Sequence, residues 1–159
     1  MQRWGDKPFY SLDYYLKQVF GEKVYKVSLN GGMTCPNRDG SLGTDGCIFC
    51  SSGGSGEFAA TKTGTIYEQI QQGIDIIRKH GKHTGNKFIA YFQAYSNTYA
   101  PASYLEDLYI QALSHPDIVA MSVGTRPDCF NQDIFALIEK CNRIKPVWIE
   151  LGLQTIHEK

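Results

Sequence analysis

"KFIAYFQAYSNTYAP", residues 87–101, decides the fold class. Its first half, KFIAYFQ (87–93), is an almost unbroken apolar run of strand length. A strand with no polar face is buried on both sides, which is the habit of parallel sheets covered by helices. The second half, AYSNTYAP, is polar and ends in Pro101. Proline suits the start of a helix, where its missing N–H would have no partner in any case. The stretch therefore reads strand, polar loop, helix.

The same order repeats on either side. VYKVSL (24–29) reads as a strand, followed by a long loop over residues 30–64. Thr65 and Glu68 form a capping box for a helix to about His80, with Ile66, Ile70, Ile74 and Ile77 on one face and Gly81 after it. Pro101 opens a helix carrying Leu105, Leu108, Ala112 and Leu113. DIVAMSVG (117–124) is a third strand and TRPDCFNQ a loop. A helix from about Asp133 to Cys141 follows, with Ile134, Leu137, Ile138 and Cys141 on one face. VWIELGL (147–153) is a fourth strand. Ahead of the first strand, Ser11 caps a helix to about Phe20 that groups Leu12, Tyr15, Leu16 and Val19, and Gly21 ends it. The fold class is α/β, built of parallel (β/α) units with about four strands.

Composition narrows the function classes. Sixteen basic residues balance sixteen acidic ones in 159, so charge forecasts neither a nucleic-acid nor a membrane partner. No apolar run approaches 18 residues, and the start MQRWGDKPFYSLDYY lacks a signal-peptide pattern. The expectation is a cytoplasmic protein with no membrane partner. Five cysteines, an odd number without a secretory signal, argue against a disulfide framework and toward metal binding or thiol chemistry.

The long polar loops, 30–64, 94–101 and 124–132, all follow a strand and precede a helix. In parallel α/β folds those strand ends build the site. The first loop holds Cys35, Cys47 and Cys50, spaced by eleven and then two residues, and its tail SSGGSG reads alone as a flexible linker. A structural zinc wants four ligands, often in paired knuckles. Here one CxxC pair has one distant partner. Cys129 is a candidate fourth ligand on the same face, whereas Cys141 falls on an apolar helix face and reads as core. Three thiolates make physical sense on a [4Fe–4S] cluster whose fourth iron stays open.

VYKVSLNGGMTCPNRDGSLGTDGCIFC (24–50), YFQAYSNTYAP (91–101), GTRPDC (124–129) and WIELGLQT (148–155) occur in this order. Together they resemble the YhcC/YtqA-like branch of the radical S-adenosylmethionine (SAM) superfamily, related to the elongator catalytic subunit. The resemblance runs from about residue 4 to the last residue. It implies that Cys35, Cys47 and Cys50 bind a [4Fe–4S] cluster. Phe49 fits the aromatic residue that often precedes the last cysteine, while the eleven-residue spacer departs from the common CxxxCxxC. Gln93, Ala94 and Tyr95 stand where many members carry a Gly-Gly-Glu segment that meets the amine of SAM. Gly124 stands where several relatives have a glutamate on the SAM ribose. Gln154 matches a SAM-contacting position. Gln93, Tyr95, Arg126 and Gln154 are thus the expected SAM contacts; no catalytic side chain is assigned.

The resemblance further implies a partial radical SAM (β/α)6 barrel. Residues 1–159 would be the N-terminal portion of its core domain, the barrel being incomplete. The implied reaction is reductive cleavage of SAM to a 5′-deoxyadenosyl radical, with tRNA modification at the wobble uridine. An electron donor such as flavodoxin or ferredoxin and a tRNA are the implied partners. The alternative is a zinc-binding structural or interaction module without catalysis. Simpler roles stand beside these. Arg126 and Asp128 can pair across the turn at Pro127. Tyr95, Asn97 and Tyr99 line a pocket or decorate a surface loop. Glu150, inside a strand, needs a partner if it points inward. RKHGKHTGNK (78–87) reads as a solvated helix end, and the four histidines, which show no ligand spacing, read as surface residues.

Overall fold

The computed structural model describes residues 3–48, 50–51, 64–80 and 85–153. Helix α1 (Leu12–Phe20) leads into β1 (Tyr25–Leu29), α2 (Ile66–Lys79), β2 (Phe88–Phe92), α3 (Ala102–Ser114), β3 (Ile118–Thr125), α4 (Gln132–Asn142) and β4 (Val147–Leu151). A 3-10 turn at Pro127–Cys129 precedes α4. The four strands form one parallel sheet in the order β1-β2-β3-β4. The α/β class and its parallel (β/α) units are as the sequence predicts.

Local chemistry sets the helix starts. The Ser11 hydroxyl accepts the Tyr14 N–H at 3.1 Å. Thr65 and Glu68 cap each other reciprocally, through Glu68 N–H to Thr65 Oγ1 at 3.2 Å and Thr65 N–H to Glu68 Oε2 at 2.7 Å. Asn131 Oδ1 accepts from Ile134 N at 2.9 Å, which starts α4 at Gln132, one residue before the expected Asp133. Gly81, the expected stop of α2, lies outside the described residues.

The outer face of the sheet carries the main core. Val27, Leu29, Phe88, Ala90, Phe92, Met121 and Val123 pack there against Ile66, Ile70 and Ile74 of α2, Leu105, Tyr109 and Leu113 of α3, and Ile134, Leu137 and Cys141 of α4. The inner face is divided. Near the strand starts, Ile89 and Ala120 meet Val24 and Leu16 of α1, with Tyr15 and Trp148 alongside. Toward the strand ends the same face turns polar, through Ser28, Tyr91, Gln93, Ser122 and Glu150.

Two expectations need correcting. Of the apolar face of α1, only Leu16 is buried, while Leu12 and Val19 are about half exposed. Helix α1 packs on the inner face at the strand starts through Leu16, with Tyr15 and Phe20 partly buried beside it. His115, read as a surface residue, is buried in the turn between α3 and β3, where its Nδ1 accepts the Asp117 N–H at 3.2 Å. Among the described residues no helix is long and apolar enough to cross a membrane, and β4 pairs only with β3.

Candidate functional site

The loop after β1 shows what the eleven-residue spacer does. Arg38 and Asp39 N–H groups donate to Cys35 O at 2.8 and 3.2 Å, closing a tight turn. Leu42 and Gly43 N–H groups return to Pro36 O at 2.8 and 3.3 Å, and Gly46 N–H to Asn37 O at 2.8 Å. The spacer therefore closes on itself, as compact surface loops do. It delivers Cys47 back to the turn that carries Cys35, and Asn37 Nδ2 donates to Cys47 Sγ at 3.1 Å. A second turn, Cys50 N–H to Cys47 O at 2.9 Å, sets the CxxC pair.

This loop rests on the one after β2. Ser96 N–H donates to Thr34 O at 3.2 Å, the Ser41 and Tyr99 hydroxyls meet at 2.9 Å, and the Arg38 guanidinium lies 5.7 Å from the Tyr95 ring centroid. Tyr95 has φ +66°, a left-handed conformation that side chains other than glycine rarely hold without surrounding constraint. The β2 loop is anchored in turn to β3. Asn97, fully buried, gives its backbone N–H and its Nδ2 to Gly124 O at 3.1 and 2.8 Å and takes the Tyr109 hydroxyl on its carbonyl. Thr98 Oγ1 donates to Cys129 O at 2.7 Å. Asn97 thus satisfies loop backbone and does not line the cavity, and Tyr99 braces the cysteine loop.

One cavity of about 310 Å³ brings the predicted residues together: Cys35, Cys47 and Cys50 line it with Gln93, Tyr95 and Arg126. That volume is at the lower end of small-molecule sites. Gln154 and Phe49 lie outside the described residues. Gln93 Oε1 accepts from Ser28 Oγ at 3.1 Å, fixing the amide. Arg126 forms the pairing across the turn, with Nε and Nη2 on the two Asp128 oxygens at 2.8 and 2.6 Å, while still facing the cavity. These bonds hold the guanidinium firmly charged and keep the Asp128 carboxyl below its ordinary range against the opposing effect of burial. The Cys50 thiol is pushed up, first by burial and then by the neighbouring Cys47, with the Arg38 charge opposing.

Among the described residues no three His, Cys, Asp or Glu side chains gather around a single metal-ion position. Tetrahedral zinc would need its sulfurs roughly 3.8 Å apart, from Zn–S bonds of about 2.3 Å. Cys129 is buried, lines a neighbouring cavity with Thr98 and Asp128, and has its thiol raised by burial and then by Asp128. Cys141 is fully buried in the core, as its helix position predicts, and burial pushes its thiol up to about 11.

The sequence gives little warning of the cavity's other wall. Glu150 enters it from β4 and is held by Lys26 of β1 and Ser122 of β3. Lys26 Nζ also sits 4.1 Å from the centroid of the Tyr91 ring, and Tyr91 faces the same cavity. Burial and then the Glu150 charge push the Tyr91 phenol up to about 12. The period-2 alternation of Lys26 and Ser28 in β1 and the lone Glu150 in an apolar strand were the available signals.

No family model matches the chain. It is 43% identical over 154 residues to the uncharacterized protein YtqA of Bacillus subtilis (strain 168), covering 97% of this chain and 47% of YtqA. It is 39% identical over 145 residues to the protein YhcC of Escherichia coli (strain K12), covering 91% and 45%. An uncharacterized protein of Methanocaldococcus jannaschii is 34% identical over 149 residues, covering 91% and 44%. The chain therefore spans a little under half the length of these curated relatives, and it is similar to them over nearly all of its own.

Proposed function

We propose that this chain is the N-terminal portion of a radical SAM core domain, with Cys35, Cys47 and Cys50 as the ligands of a [4Fe–4S] cluster. The observation that carries the reading is the convergence of these three cysteines on one cavity with Gln93, Tyr95 and Arg126. The donor set suits the group: three thiols at the strand ends, with an amide N–H already on one sulfur, a contact of the kind that tunes such clusters. When bound, the cluster supplies the electron that cleaves SAM reductively, drawn from a donor such as flavodoxin or ferredoxin.

The chain's own residues bind and orient. Gln93, fixed by Ser28, presents its amide at the end of β2, and Tyr95 is held in place by its loop. Arg126 lines the cavity with its guanidinium oriented by Asp128, and a guanidinium so placed suits an anionic group such as a carboxylate. For the substrate, the reading rests on the resemblance, which points to a uridine in tRNA.

The test is anaerobic reconstitution with iron and sulfide. Iron and sulfide near four each per chain, as this cluster type requires, is the expected result. One tightly held zinc with no sulfide would favour a structural zinc module instead.

A further inference from the structure

Arg38 sits at the junction of the cysteine loop. Its backbone N–H closes the Cys35 turn at 2.8 Å. Its Nη2 donates to Ser51 O at 2.5 Å, one residue beyond Cys50. Between these ends the guanidinium lies close to Gly46, the residue before Cys47. A Cβ built on Gly46 would fall 2.9 Å from both Nε and Nη2 of Arg38, and Gly46 has φ +76°. Glycine at this position suits the positive φ and leaves the guanidinium its place. The guanidinium also lies 5.7 Å from the centroid of the Tyr95 ring. One planar cation thus touches the segments flanking all three cysteines, and it lines the cavity they share.

We infer that Arg38 is a positioning residue that clamps the Cys47–Cys50 turn against the Cys35 turn, and that its charge stabilises the reduced form of the group those cysteines hold. The clamp follows from the geometry alone. The charge effect rests on the iron–sulfur reading above. A cluster gains negative charge on reduction, and nearby charge and hydrogen bonds set its potential. A fixed cation at the cavity wall favours the reduced state.

The two parts separate with two substitutions in the full chain. Arg38→Lys keeps the charge but lacks the planar fork that spans Gly46 and Ser51, whereas Arg38→Gln loses the charge as well. In metal-free protein, hydrogen exchange at the Gly46 and Cys50 amides should quicken about tenfold or more in both variants, the effect of losing a charge-assisted hydrogen bond. The Ile89 and Met121 amides in the sheet should keep wild-type rates. Unchanged exchange at Gly46 and Cys50 would overturn the clamp. In reconstituted protein, redox titration followed by electron paramagnetic resonance should give a more negative potential for Arg38→Gln than for wild type, with Arg38→Lys near wild type. Equal potentials in all three would overturn the charge effect. A wild-type chain that takes up no iron and sulfide would reject the iron–sulfur reading and the charge effect with it, and the exchange rates would still decide the clamp.

Discussion

Lys26 on β1 and Glu150 on β4 form an ion pair across the inner face of the sheet, although two strands lie between them. Ser28, Tyr91, Ser122 and Trp148 make one row across the four strands. Lys26 lies two residues before that row and Glu150 two residues after it. In a flat sheet three strand spacings would part them by about 14 Å sideways and four residues by about 13 Å lengthwise. No lysine–glutamate pair reaches that far. The sheet must therefore twist and curl so that these opposite corners close on the inner face, which is the distortion that strand tilt produces in barrels. The polar cavity lies in the hollow of this arc.

The pair should leave a mark on acid stability. Burial raises the Glu150 carboxyl, but hydrogen bonds from Lys26 and Ser122 and the Lys26 charge outweigh it, so the group ends below its ordinary value of 4.5. A carboxyl lowered by folding adds stability above its unfolded value, and that stability fades as pH falls through the folded one. Glu150→Gln should lower the melting temperature at pH 7, and the gap to wild type should shrink below about pH 4.5. Melting curves from pH 7 to 3 measure it. A gap that stays constant to pH 3 would mean Glu150 acts by packing alone.

His115 should act at higher pH. Burial pushes its imidazole below the ordinary 6.5, with the Asp117 charge opposing. Its Nδ1 accepts a backbone N–H, so the ring proton sits on Nε2, which is buried without a partner among the described residues. Below pH 6.5 the unfolded chain takes up a proton that the folded chain resists, so stability falls as pH drops. His115→Asn, whose side-chain oxygen can still accept the Asp117 N–H, should remove that step between pH 7 and 5. Identical pH slopes for the two proteins would sink the idea.

The signals that were legible in the sequence are local ones. Caps at Ser11 and Thr65 and the apolar runs of β2 and β3 depend on neighbours in the chain, so their boundaries fall within a residue or two of the reading. The cysteine loop was legible as part of a candidate site because the loops that follow parallel strands gather at the strand ends, where the cavity lies. Periodicity says which side chains share a face but not what covers it, so it does not show that Leu12 and Val19 stand half exposed. Asn97 reads equally as a pocket or a surface residue because a polar loop side chain suits ligand, water and backbone alike, and here the backbone of β3 claims it. The partners of Glu150 were out of reach, since Lys26 lies 124 residues away.

Gly73 tests the packing of α2 on β1. A Cβ there would fall 2.4 Å from Val27 Cγ1. Alanine in a helix interior gains about 1 kcal/mol over glycine, while overpacking a core costs about 1–3 kcal/mol. At so short a contact the clash outweighs propensity, and Gly73→Ala should destabilise by about 1 kcal/mol. In a Val27→Ala background the space is free, and the same change should stabilise by about 1 kcal/mol. Denaturant unfolding of the four proteins would show the reversal. The same sign in both backgrounds would mean that the helix shifts to make room.

The five cysteines should separate into two groups by what their loss changes. Cys35, Cys47 and Cys50 are half-buried on a cavity wall, so trimming any one to alanine opens no core void and should leave the fold nearly as stable. Each loss should nevertheless abolish uptake of iron and sulfide, because two thiolates leave two irons of the proposed cluster without protein ligands. Cys141 is the reverse case. It is fully buried between α4 and the sheet, so Cys141→Ala should cost about 1–2 kcal/mol through the small void it leaves, with iron content unchanged. Cys129 discriminates between the readings of the site. It is buried against Asp128 on a separate cavity, so Cys129→Ala should also leave the iron in place. Iron and sulfide assays on the five variants, beside their unfolding curves, decide the matter. If Cys129→Ala empties the site as completely as Cys35→Ala does, four thiolates close the metal centre, and an open iron for SAM is lost.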